Sequence, residues 1–273
     1  MAARIADPLF GPPPERVQLE AAPLVRVLGQ VQFARILNIS KEDFIGDFQD
    51  AVRRQFPVIE RDSAKSIEVS LTEEQATRNV TEEVIWRMFD PLRVWRLSLA
   101  PAALTLETMR YKSREEFLER LQFLIDALAA TIQPSLATRV GFRYVNRIDR
   151  KADIDELGNL VEPELLGLSS GALRRGVQMA VSQAQCQTDE GFLVARWGLL
   201  PAGATHDLGT TPPTDVQSWF LDIDSFTTAG LPAEGFVADP LIAKINTMAD
   251  RAYAFFRWSV KPQFLNRFRE GNR

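Results

Sequence analysis

The chain has 273 residues, 45% hydrophobic and 25% charged, and its 32 basic and 36 acidic side chains give a formal net charge of −4. Such a chain can bury a core without metals or disulfides, and its composition excludes wholesale disorder and a global attraction to polyanions. Cys186 is its only cysteine and His206 its only histidine, which excludes an internal disulfide and histidine-rich zinc or iron centres.

Residues 1–22 read as an extended arm, because Pro12, Pro13 and Pro14 favour polyproline II and block helix. Over 24–37, Val25, Val27, Gly29, Val31 and Phe33 alternate with Arg26, Gln30 and Gln32, the period of a strand with one buried face. Ser40 and Asp43 resemble a capping box for a helix with the stripe Phe44, Ile45, Phe48, Val52 and Phe56, stopped by Pro57. Four short strands are expected next: 67–71, then around Trp86, around Leu97 and around Leu106. Asp90-Pro91 and Ala100-Pro101 supply turns between them. A second helix runs from a Ser113/Glu116 capping box through Phe117, Leu121, Leu124, Leu128 and Ile132 to Pro134.

The pattern then restarts. Val140, Phe142, Tyr144 and Ile148 mark a strand, and 153–166 a short helix or helical turn weakened by Gly158 and Pro163. Further strands are expected at 177–181, 193–199 and 219–223, with a Gly/Pro/Thr-rich loop over 201–214. Asp239 caps a long helix with Pro240 at its first position and Leu241, Ile245, Met248, Ala252 and Phe255 on one face. The expected class is therefore α+β: two similar halves, with antiparallel curved sheets covered by long amphipathic helices. The division is 1–22 as an arm, 23–136 as a β-α-β4-α half, 137–261 as a β-α-β3-α half, and 262–273 as a tail that docks on the body or on a partner. Neither a leader-like apolar run nor a stretch of ~20 apolar residues is present, so a cytoplasmic location without membrane contact is expected.

Three blocks carry a resemblance: Ala22-Pro23-Leu24-Val25-Arg26-Val27 with Gln30-Val31-Gln32-Phe33, Arg139-Val140-Gly141-Phe142-Arg143-Tyr144-Val145-Asn146-Arg147-Ile148, and Leu221-Asp222-Ile223-Asp224. Over roughly residues 22–260 the chain resembles a sporadically distributed bacterial family of uncharacterised proteins. The resemblance implies a shared fold and a bacterial origin. A patchy distribution also implies an accessory role in phage defence or a toxin–antitoxin-like pair. It carries over no catalytic residue.

Period two places Arg139, Arg143 and Arg147 on one face of their strand, with Arg26 close by if the first strand pairs there. Guanidinium groups so arranged bind phosphate or carboxylate; alone on a sheet face they are solvated or ion-paired. Asp222 and Asp224 share a face and can hold a divalent cation, raise one pKa for acid–base work, or pair with the arginine stripe, which a double-mutant cycle of Arg143→Ala with Asp224→Ala would test. Asp149, Asp153 and Asp155 lack the glycine and terminal glutamate of a calcium loop. His206 reads as a surface loop residue, Cys186 as a buried inert thiol, and the five tryptophans as core. No phosphate-binding glycine loop or zinc spacing occurs, and no catalytic residue, metal or cofactor is assigned. The leading reading is a non-enzymatic binding or regulatory module acting on another protein. A nucleic-acid or nucleotide binder, a carboxylate-based metal-dependent hydrolase and a homo-oligomer remain as alternatives.

Overall fold

The computed structural model describes residues 5–71, 76–231 and 235–269, with side chains described outside 64–71 and 76–82. The ends of the expected arm and tail, Arg273 included, lie outside the described residues, as do the side chains of the strand expected at 67–71.

The first strand, β1 (Leu24–Phe33), buries Val27, Val31 and Phe33 and exposes the residues between them more. It ends four residues before the expected Leu37, which opens a short 3-10 turn, Leu37–Ser40. Helix α1 (Gly46–Val52) is shorter than its stripe suggested. Ser40 does not cap it: a second 3-10 turn, Asp43–Ile45, intervenes, and Phe44 faces outward. The chain then enters a long hairpin of β2 (Val58–Leu71) and β3 (Ala76–Phe89). Both exceed the short strands expected, because neither run contains a Gly or Pro to interrupt an extended backbone.

Strands β4 (Trp95–Ala100) and β5 (Ala103–Thr108) lead into α2 (Arg114–Thr131). Ser113 caps α2 by accepting from the Glu116 amide, whereas the Glu116 carboxylate turns to Arg120 instead of closing the box. Strand β6 (Ala137–Ile148) opens the second half. Two short helices, α3 (Lys151–Asp155) and α4 (Leu157–Leu160), then give way to 3-10 turns that run to Gly176. Strand β7 (Ala180–Gln187) begins where the expected one was to end, leaving Val177 and Met179 ahead of it. Strands β8 (Phe192–Leu200) and β9 (Ser218–Thr227) flank the Gly/Pro/Thr-rich connection.

The long helix α5 (Ala238–Ser259) has Val237 as its uncapped N-cap. Asp239 therefore sits inside the first turn, where it accepts from Gln122 of α2 and complements the helix dipole without capping. The tail forms α6 (Pro262–Arg269), which docks on the body: Phe264, Leu265 and Phe268 are buried, and Arg267 pairs with Asp153 and Glu156.

All nine strands form one antiparallel sheet in the order β2-β3-β4-β5-β1-β6-β9-β8-β7. The two halves meet through β1 and β6, registered from Val27 opposite Tyr144 to Val31 opposite Val140. One face carries the helices. Phe117 and Leu121 of α2 approach β1 so closely that a Cβ on Gly29 would lie 2.8 Å from each. Leu241, Ile245, Met248, Ala252 and Phe255 of α5 are buried on the same side. Each of these side chains larger than alanine contributes about 1.5–3 kcal/mol, so this layer outweighs any single polar contact in holding the sheet. Trp86, Trp95 and Trp219 are core residues. The arm lies along α5, with Arg251 donating to the carbonyls of Pro8 and Gly11 while its guanidinium also grips Glu190 in the β7–β8 turn.

At Gly198 a Cβ would stand 1.9 Å from the carbonyl oxygen of Ala180, so this position admits only glycine while β7 stays paired. Gly198→Ala is expected to cost about 1–3 kcal/mol. Urea denaturation, with hydrogen exchange showing protection lost first in β7 and β8, checks it.

Candidate functional site on the open face of the sheet

Val140, Phe142 and Tyr144 of β6 point into the helix-covered core, so Arg139, Arg143 and Arg147 project from the opposite, open face as their spacing requires. Pairing of β6 with β9 brings Asp222 and Asp224 beside them. Arg143 stands directly opposite Asp224 in the register, yet it bonds diagonally. Its Nε and Nη2 donate to the two oxygens of Asp222 at 2.7 and 2.6 Å, a bidentate clasp. Asp224 is held by Arg139 at 3.0 Å. The pairs between the aspartates and the arginine stripe are thus Arg143 with Asp222 and Arg139 with Asp224, because a guanidinium on a long stem reaches past its opposite neighbour.

Arg139 can lie flat along the face because Gly141 presents no side chain beneath it. It donates to Gln30 and packs over the Phe226 ring at 4.2 Å. Arg26 is on the neighbouring β1, but its partner is Glu107 of β5, which Arg96 also reaches at 2.6 Å. Arg147 pairs with Asp149 at 3.5 Å and donates to the Pro212 carbonyl. Asp153 and Asp155 each have their own cation, Arg267 and Lys151. No group of three or more His, Cys, Asp or Glu among the described residues is arranged to hold a metal ion.

The connection over 201–217 supplies the residues that the sequence reading passed over. It folds into a tight knot: Asp207 takes the Gly209 amide on its carboxylate and the Thr211 amide on its carbonyl, and Thr205 donates to the Thr211 carbonyl. The knot lies on the open face. Asp207 accepts from Arg143 at 2.8 Å, and Arg96 donates to the Gly209 carbonyl. His206 is no surface residue: its side chain is 3% exposed, stacks on Phe220 at 3.9 Å, and sets Nε2 3.1 Å from Asp222. Arg196 of β8 approaches the same carboxylate at 3.7 Å. The Asp207-Leu208-Gly209 turn was the one local signal in the sequence, and it marks the bond from the Gly209 amide to Asp207 but not the contacts with the sheet.

Burial alone would push the Asp222 carboxyl up, but the His206 and Arg143 hydrogen bonds outweigh it and hold it below the ordinary value. Burial also opposes ionisation of Asp207, yet Arg143 brings its carboxyl below that value too. For Asp224 burial wins: its carboxyl is raised despite Arg139 and Arg143. Burial disfavours the charged form of Arg143 in turn, but Asp222 and Asp207 hold it firmly protonated. Among the described residues, the open-face arginines Arg26, Arg87, Arg96, Arg139, Arg143, Arg147 and Arg196 each have a carboxylate within 4 Å. Cys186 is half-buried on an outer strand and not enclosed in the core as expected. No family model matches the chain, and no curated protein matches it in sequence.

Arg143→Ala strips one partner from a buried pair and is expected to cost about 3–5 kcal/mol. In double-mutant cycles the Arg143–Asp222 coupling is expected to exceed about 1 kcal/mol, and the Arg143–Asp224 coupling to stay below it. A depressed carboxyl contributes stability that is complete above its unfolded value and lost as pH falls through its folded one; a raised carboxyl does the reverse. The cost of Asp222→Asn should thus shrink as pH drops below 3.8, the ordinary aspartate value. The cost of Asp224→Asn should grow as pH drops toward 3.8. Unfolding free energies of both variants across acid pH check these opposite slopes.

Proposed function

We propose that the chain is a non-enzymatic binding module that acts through a protein partner docked on the open face of the sheet. The carrying observation is that the arginines there already face the chain's own carboxylates, so the face is dense in hydrogen-bonding groups but close to neutral. Protein surfaces of mixed polarity complement such a face, with hydrogen bonds and paired charges at the rim of the contact. A polyanion gains little from guanidinium groups whose charge is compensated. The hydrolase reading loses its metal ligand in the same way, because both oxygens of Asp222 are taken by Arg143 and the side chain is fully buried.

The matching order of elements in the two halves is read as an internal duplication. The family resemblance suggests a setting for the partner, an accessory role in a bacterial phage-defence or toxin–antitoxin-like system, with the partner encoded beside this chain.

The test is co-purification of tagged protein expressed with its genomic neighbours, comparing the wild type with a Gln32→Arg, Ser98→Arg variant, whose changes put uncompensated charge on the half-exposed part of the face. A stoichiometric protein partner is expected to bind the wild type, to be lost from the variant, and to persist through moderate salt. A nucleic-acid ligand neutralised at six phosphates would instead lose roughly a thousandfold in affinity between about 50 and 200 mM salt. Co-eluting nucleic acid that departs with that steepness overturns the proposal.

A further inference from the structure

The sheet has two outer strands, β2 and β7, and they differ in a way that matters for association. An outer strand carries a row of unpaired backbone N–H and C=O groups, and proteins usually guard it with charges, prolines or bulges. Strand β2 is so guarded: Glu60, Arg61, Asp62, Lys65 and Glu68 fall within it. Strand β7 is not. Its eight residues, Ala-Val-Ser-Gln-Ala-Gln-Cys-Gln, contain no charge and no proline, and they pair with β8 without a register shift. Apolar side chains are exposed along the approach to it, with Leu173 62% and Met179 58% accessible and Val181 open on the strand itself.

We infer that β7 is the interface of a symmetric homodimer, in which β7 of a second copy pairs with it antiparallel and makes one sheet of the two. The occupant follows from self-complementarity. An antiparallel pair of identical strands is related by a two-fold axis normal to the sheet, so each face meets the same face of the partner. Val181, Gln183, Gln185 and Gln187 share the face of Arg196, so glutamine meets glutamine. A carboxamide both donates and accepts, which lets it bond to its own kind; a charged residue in that place would meet its like and repel. On the other face the small side chains of Ala180, Ser182, Ala184 and Cys186 allow close approach. A hetero-partner selected by charge would need charge on β7, which the strand lacks. Gln183 on that face accepts from Arg196 at 2.7 Å, so the β7 edge adjoins the open-face arginine network, while Gln185 and Gln187 lie beyond it.

Sedimentation equilibrium of the full chain is the test, with the wild type expected at twice 30.7 kDa at micromolar concentration. Gln185→Lys with Gln187→Lys, both at exposed positions, is expected to weaken the dimer by at least about tenfold while leaving the circular dichroism unchanged. Ser63→Lys on β2 serves as the control and is expected to leave the dimer intact. Hydrogen exchange of the wild type should show protection within Ala180–Gln187 that rises with protein concentration, independent of any variant. A monomer at about 100 µM, a dimer indifferent to the β7 lysines, or concentration-independent exchange in β7 overturns the inference.

Discussion

Arg143 is the group on which the open face depends. Its guanidinium grips Asp222 of β9 and Asp207 of the connection that crosses the sheet, so one cation ties two strands and a long loop together. The opposing terms are large. Asp222 is fully buried, and an unpaired carboxylate there would be protonated or exposed by local unfolding. Two bonds from Arg143, a third contact from His206 and the nearby Arg196 meet its oxygens, and ionisation then wins over burial. The loop is positioned at the same place, where His206 stacks on Phe220 and meets the Asp222 carboxylate with Nε2.

Such a network specifies a structure more than it stabilises one. A slip of one residue between β6 and β9 would turn one of the two strands over, leaving either Arg143 or Asp222 facing the helices without the other. The apolar face alone already opposes that slip, since the apolar side chains of the turned strand would emerge on the other side. The ion pairs add a second, independent cost to such a slip between β6 and β9, next to the β1–β6 ladder where the two halves join. This matters in a sheet of nine strands whose central ladder pairs residues more than a hundred positions apart. Pairings so distant in sequence are late to form and slow to correct.

Periodicity carried most of the fold. The stripe of α2 and the alternation of β1 and β6 are strong because each buries one side continuously. Boundaries failed where a polar residue had two uses. Ser40 and Asp239 look like caps, but one is followed by a 3-10 turn and the other is drawn sideways by Gln122. Strand β7 failed for a different reason: exposed on both faces, it has no hydrophobic period to betray its start. Of the site, the arginine stripe and the aspartate pair were visible because period two fixes which side chains share a face. The diagonal partners were not, since reach along a strand depends on rotamers and not on spacing. His206 and Asp207 were hidden because they arrive on a loop whose path is set by the residues it covers.

The His206–Asp222 pair invites a catalytic reading, and the geometry argues against it. An imidazole held by a carboxylate at one nitrogen acts as a base only if the other nitrogen reaches a substrate proton. Here Nε2 faces the carboxylate, and Nδ1 is buried without a hydrogen-bond partner among the described residues. The ring is stacked flat on Phe220 beneath its own loop. A substrate could reach Nδ1 only by lifting the connection off the sheet, which would also break the Arg143–Asp207 pair and the bond from Arg96 to Gly209. Each of those contacts is replaceable, but all of them break together, and Asp222 would lose its histidine in the same motion. In this arrangement the histidine fastens the loop to the sheet through Phe220 and Asp222.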